Sequence, residues 1–218
     1  MDFYRRKLPH WIPSDAIFFI TFRLANSLPT DIIKKLVEER ESSQKIIQSK
    51  FQEKEQKERL YELEKKYFSH FDTWLDRCMV ESPTWLRQER IARIVSKVIH
   101  DFDGQLYTLM TYCIMPNHVH LLIDTSGYQI DISHRGTTAH YPLSDMLKQL
   151  KGRSSHLANR ALNRSGIFWQ HESFDHVVRD SKELERIHWY ILNNPVKAGL
   201  VTQWQAWPYS WSKLLGRN

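Results

Sequence analysis

The chain has little cysteine. Cys78 and Cys113 are its only two, and they form no CxxC pair. That excludes a disulfide framework and makes a reduced, cytoplasmic setting the simple expectation. Glycine is scarce too, at seven residues. None belongs to a glycine-rich phosphate loop, so no ATP site is expected. No apolar run reaches the ~18 residues of a membrane span. The basic Arg5-Arg6-Lys7 is followed by Pro9 and His10 instead of an apolar core, so no signal peptide is expected either.

What is present describes a globular protein. Of 218 residues, 41% are hydrophobic and 26% charged, and eight tryptophans and ten phenylalanines provide core material. The length suits one domain, residues 1–218, with an elaboration. The net charge of +6 suggests a polyanionic partner. It does not come from residues 31–72, where ten basic and ten acidic residues balance. Apolar residues there are sparse and fall at i, i+3 or i+4, as in Ile32, Ile33, Leu36 and Val37. The stretch reads as one long helix or a helical hairpin inserted into the domain, dispensable for chemistry.

Tyr112-Cys-Ile-Met-Pro-Asn-His-Val-His-Leu-Leu-Ile-Asp124 organises the remainder. On a strand, positions i and i+2 share a face, so His118 and His120 project together and Val119 and Leu121 point the other way. Two neutral imidazoles side by side can ligate one divalent metal. Residues 16–24 read as a buried strand and 105–114 as a strand paired with the His118 strand. Helices are expected over 85–102, over 143–162 and from Ser181, the last capped by that serine and stopping at Pro195 and Gly199. Residues 174–179 read as an edge strand, 125–141 as a loop, and 202–218 as a C-terminal tail across the core. The whole reads as α+β: an antiparallel sheet with helices on one face. On the 143–162 helix, Lys148, Lys151, Arg153 and Arg160 form a basic side. With the Arg5-Arg6-Lys7 arm and Trp11 it suits phosphate contact and base stacking.

Tyr190 taken alone is a core aromatic at helical spacing, with Asn194 nominally on the same helix face. The HVH strand, followed by a helix carrying a tyrosine and ending Asn194-Pro-Val-Lys-Ala-Gly-Leu200, resembles the HUH single-tyrosine transposases. The nearest likeness is to the REP-associated tyrosine transposases. Phe19-Ile-Thr-Phe-Arg23, Met115-Pro-Asn117, Phe168-Trp-Gln170 and Asp175-His176 carry the same likeness. It implies a ferredoxin-like fold with HVH on a central strand, and Tyr190 as the nucleophile. It also implies a third metal ligand four residues after the tyrosine: Asn194, with Asn193 as its neighbour in contention. Neutral ligands of this kind suit Mg²⁺ or Mn²⁺. Asp175 and His176 would support the site from behind.

The implied activity is metal-dependent cutting and rejoining of single-stranded DNA beside a palindromic hairpin, through a 5′-phosphotyrosine. A monomer is expected, with a dimer as the alternative. Two rivals remain: a hairpin-binding protein that no longer cuts, and a metal-dependent phosphoester hydrolase using HVH alone.

Overall fold

The computed structural model describes residues 16–80, 82–128 and 142–216. Five strands form one antiparallel sheet: β1 (Ile17–Leu24), β2 (Thr108–Ile114), β3 (His118–Asp124), β4 (Trp169–Val177) and β5 (Ser210–Ser212), in the order β4-β1-β3-β2-β5. The helices are α1 (Thr30–Lys50), α2 (Glu53–Arg77), α3 (Glu89–Asp101), α4 (Pro142–Ala161) and α5 (Ser181–Lys197). The succession β1-α3-β2-β3-α4-β4 is the expected ferredoxin-like α+β frame, and β3 is its central strand.

The first correction concerns where the helices lie. One face is covered as expected: Phe18, Ile20, Phe22, Val119, Leu121 and Ile123 pack against Ile91, Val95, Ile99 of α3 and Met146, Leu150 of α4. The other face is covered as well. Phe19, Cys113 and Leu122 pack against Phe68 of α2 and Ile187, Ile191 of α5. Strand alternation makes this necessary, because β1 and β3 carry apolar side chains on both faces and each face must be removed from water.

Residues 31–72 lie in a helical hairpin, α1 and α2 meeting at Phe51-Gln52. Leu36 is the one buried residue of α1, whereas Phe68, Asp72 and Leu75 of α2 are buried. At i, i+4 and i+7 those three share one helical face. The C-terminal stretch contributes β5, which pairs with β2 through Thr111↔Ser212, so part of the expected tail extends the sheet.

Two local expectations also change. Asp180, not Ser181, caps α5: its side chain accepts from the Glu183 amide. An aspartate at this position satisfies an amide that would otherwise lack a partner. The helix also runs through Pro195 to Lys197 before Gly199 turns it at φ 69°. Proline there forfeits one backbone hydrogen bond, but the packing of Ile187 and Ile191 holds the turn in register. Tyr190, Asn194 and Lys197 therefore keep a common face.

Candidate metal and nucleophile site

Strand β3 begins at His118, so His118 and His120 share the face that looks toward α2 and α5. In the β1–β3 register, Thr21 stands opposite His120 and Arg23 opposite His118. Both imidazoles are fully buried, which would be costly without hydrogen-bond partners. His118 Nδ1 lies 2.7 Å from Asn117 Oδ1. The Asn117 amide nitrogen donates to the Leu75 carbonyl at 2.8 Å, which fixes the amide's orientation. Nδ1 of His118 is therefore the protonated nitrogen, and Nε2 carries the free pair. Thr21 Oγ1 lies 2.7 Å from His120 Nδ1, and a proton on that nitrogen leaves its Nε2 free as well.

The two Nε2 atoms are 3.0 Å apart. A carboxylate completes the group: Asp72 Oδ1 lies 3.2 Å from His120 Nε2 and 3.7 Å from His118 Nε2. Among the described residues these three form a cluster able to hold a metal ion. The donor set fits a divalent cation. Three electron-pair donors converge, Asp72 Oδ1 is buried and accepts no hydrogen bond, and both imidazoles are oriented from behind as metal-bound histidines are. Burial, then the neighbouring His120, pushes His118 down to about 3, so it remains a neutral ligand at physiological pH.

Tyr190 joins the cluster through the same aspartate. Its hydroxyl donates to Asp72 Oδ2, and its ring centre is 5.6 Å from that of His120. Burial, then Asp72, raises the phenol above its ordinary range. Lys197 Nζ donates to Asp72 Oδ2 at 2.9 Å and lies 3.3 Å from Asp76 Oδ2. Burial alone would raise the pKa of Asp72, but His120, His118 and Lys197 together hold it well below the carboxylate range. Asp76 is pushed up to about 6, first by burial and then by Asp72.

Asn194 is buried on the same face of α5 as Tyr190, and neither side-chain polar atom has a hydrogen-bond partner. It lies close enough to the phenol to oppose that rise, although no hydrogen bond of standard geometry joins them. Asn193 is exposed. Pairing of the histidines with Tyr190 was legible in sequence. Asp72 and Lys197 were not. The stretch read as dispensable brings Asp72 into the centre of the candidate site. Its signal was an acid on the apolar stripe between Phe68 and Leu75. Lys197 had one too, at i+7 from Tyr190.

The remaining candidates lie farther out. His176 shares the site face, but its Nε2 pairs with Glu183 at 3.2 Å instead of with the cluster. Asp175 stands in register with Ile20 and so belongs to the opposite face; the supporting role expected for it is not built there. On α4, Lys148 and Arg160 are exposed. Lys151 donates to the His171 carbonyl and Ser173 Oγ at 2.7 and 3.1 Å. Arg153 pairs with Asp101 at 2.7 Å. These two are engaged within the fold. Arg5, Arg6, Lys7 and Trp11, with most of the 125–141 loop, lie outside the described residues.

A paired-histidine strand facing a helix tyrosine defines a class, and the comparisons give the same one. The IS200-like transposase family matches residues 83–194, and this chain belongs to that family. Within it, the chain is of the REP-associated tyrosine transposase type. It is 32% identical over 139 residues to a Haemophilus influenzae protein bearing that name, covering 58% of this chain and 76% of the relative. A solved REP-associated tyrosine transposase bound to a REP hairpin covers 96% of this chain and 82% of its own length, at 17% identity and a TM-score of 0.49. A Deinococcus radiodurans structure described as a transposase matches at 14% identity, over 86% of this chain and 97% of its own, with a TM-score of 0.37. Among the described residues no helix is long and apolar enough to cross a membrane.

Proposed function

We propose that the protein cuts and rejoins single-stranded DNA beside a palindromic hairpin, with Tyr190 as nucleophile. The observation that carries this is the convergence of the Tyr190 hydroxyl and the two histidine Nε2 atoms on one carboxylate. His118 and His120 would hold Mg²⁺ or Mn²⁺, with Asn194 supplying an oxygen from α5; Asp72 completes the donor set while α2 is docked. The cation, when bound, would polarise a phosphate and offset the charge that develops on it.

The chain's own residues do the rest. Tyr190 is held by α5 and by its ring contacts with Phe19 and Phe68, at 5.9 and 6.0 Å between centres. Its oxygen attacks phosphorus and the bond to the 3′ oxygen breaks; the phenolic proton passes to a surrounding acceptor, and the departing 3′ oxygen takes up a proton from solvent. The products are a 5′-phosphotyrosine and a free 3′-hydroxyl. One phosphoester replaces another, so the step is reversible and needs no nucleotide. The exposed Lys148 and Arg160 would contact the DNA backbone, along with Arg5, Arg6, Lys7 and Trp11 of the N-terminal arm.

The test uses a DNA hairpin with a single-stranded flank and Mn²⁺. Wild type should give a protein–DNA adduct that survives denaturation and carries the 5′ end of the downstream fragment. Tyr190→Phe keeps the ring and removes the attacking atom, so it should bind the hairpin and form no adduct. Cutting by Tyr190→Phe with no adduct from either protein would make water the nucleophile and favour a phosphoester hydrolase.

A further inference from the structure

We infer that the Asp72 carboxylate stands where a DNA phosphate binds, and that Lys197 is the residue that holds this phosphate once α2 withdraws. The inference rests on the function proposed above and assigns its substrate-binding cation.

Four groups face one small anion. The Tyr190 hydroxyl and the Lys197 ammonium both donate to Asp72 Oδ2, while the two histidine Nε2 atoms face Oδ1. A phosphodiester presents the same charge and the same kind of oxygen, and lysine is a common point-charge partner for phosphate. For Tyr190 to attack phosphorus, the phosphate must lie against its hydroxyl. Asp72 holds that position now.

Access points the same way. Asp72, His118 and His120 each have 0% exposure, so no DNA strand reaches them while α2 is docked. Phe68 of α2 closes the remaining side, its ring centre 4.2 Å from that of Phe174. α2 is held to the body along one helical stripe. Phe68, Asp72 and Leu75 are its buried residues, and Asn117 to Leu75, Tyr61 to Glu183 and Arg179, and Asp76 to Lys197 are further attachments. Both carboxylates paired with Lys197, Asp72 and Asp76, belong to α2. Withdrawal of the helix therefore leaves the ammonium unpaired beside the Tyr190 ring, 5.7 Å from its centre. An incoming phosphate offers that ammonium a new anionic partner. The hairpin also precedes residues 83–194, the part matched by the family, so it is laid over a site built mainly from that part.

The experiment uses the full chain and a flanked DNA hairpin, with and without EDTA. Trypsin cleavage within residues 53–77 reports on α2. Bound hairpin should accelerate that cleavage in wild type. Asp72→Ala should bind the hairpin more tightly than wild type in EDTA. The gain is about tenfold if the closed state is favoured about ten to one. Adding Lys197→Met to Asp72→Ala should cancel the gain. Asp72→Asn removes the charge at nearly constant shape and replaces Asp72→Ala in the comparison if the alanine variant does not fold. Hairpin binding that leaves α2 equally resistant, with no gain in either variant, overturns the inference and leaves the proposed function standing. Failure of every variant to bind hairpin DNA would overturn both.

Discussion

The two faces of the sheet are made by the same strands and have opposite characters. Toward α3 and α4, β1 and β3 present Phe18, Ile20, Phe22, Val119, Leu121 and Ile123. Toward α2 and α5 they present Thr21, Arg23, His118 and His120 among fewer apolar residues. On the first face β1 and β3 place only apolar side chains, and its stability comes from burial and close packing. On the second face each buried imidazole needs an oriented partner. Thr21, Asn117 and the Leu75 carbonyl provide a chain of them. A period of two thus separates an apolar layer from the layer that carries the candidate site, one residue apart along the chain.

The sharpest way to break this comparison is to cut into the layer that carries the candidate site. His118→Ala and His120→Ala should each reduce cleavage to background and weaken Mn²⁺ binding by more than about 100-fold, because even the outer partners of metal-bound histidines contribute ~10–100-fold. Calorimetric Mn²⁺ titration checks this, with circular dichroism verifying the fold; wild-type affinity in either variant would remove the metal site. A cut on the other face has a different signature. Leu121→Ala should cost about 3 kcal/mol in urea unfolding, while cleavage per folded molecule stays near wild type. Loss of cleavage in a fully folded Leu121→Ala protein would mean that the faces are coupled.

Smaller effects sharpen the picture around the rim. Lys148→Glu and Arg160→Glu should each lower the slope of log affinity against log salt for hairpin DNA by about one. An unchanged slope in the double variant would put the DNA elsewhere. Lys151 is a weaker case, since it is already engaged with β4. Burial lowers it to about 8. Between there and the ordinary lysine value of ~10.4, the unfolded chain holds a proton that the folded chain has released, so stability should rise with pH across that window. Urea midpoints of wild type and Lys151→Met, followed from pH 8 upward, should diverge in that direction. Parallel profiles would show that Lys151 ionises freely.

How much of the site could be read from sequence depends on the distance in chain between its parts. His118 and His120 sit two apart on a strand, and Tyr190 and Asn194 four apart on a helix. Local periodicity alone gives each pair a common face. Bringing the pairs together was implied by the family pattern, not by either period. Asp72 lies 46 residues before His118 in a stretch with balanced charge, and its acid reads as one more solvated carboxylate. Only the docking of α2 turns that side chain inward, to a place where Lys197 and the imidazoles offset the cost of burying it. The sequence by itself determined β1 to β3, part of β4, most helix spans and the two chemical pairs, because these follow from short-range alternation, helical period and turn residues. Tertiary structure decided that helices cover both faces and that Lys151 and Arg153 are spent within the fold. It also decided that a helical hairpin read as an insertion closes over Tyr190. These depend on which surfaces meet, and neither the charge balance nor the periodicity of a single segment carries that information.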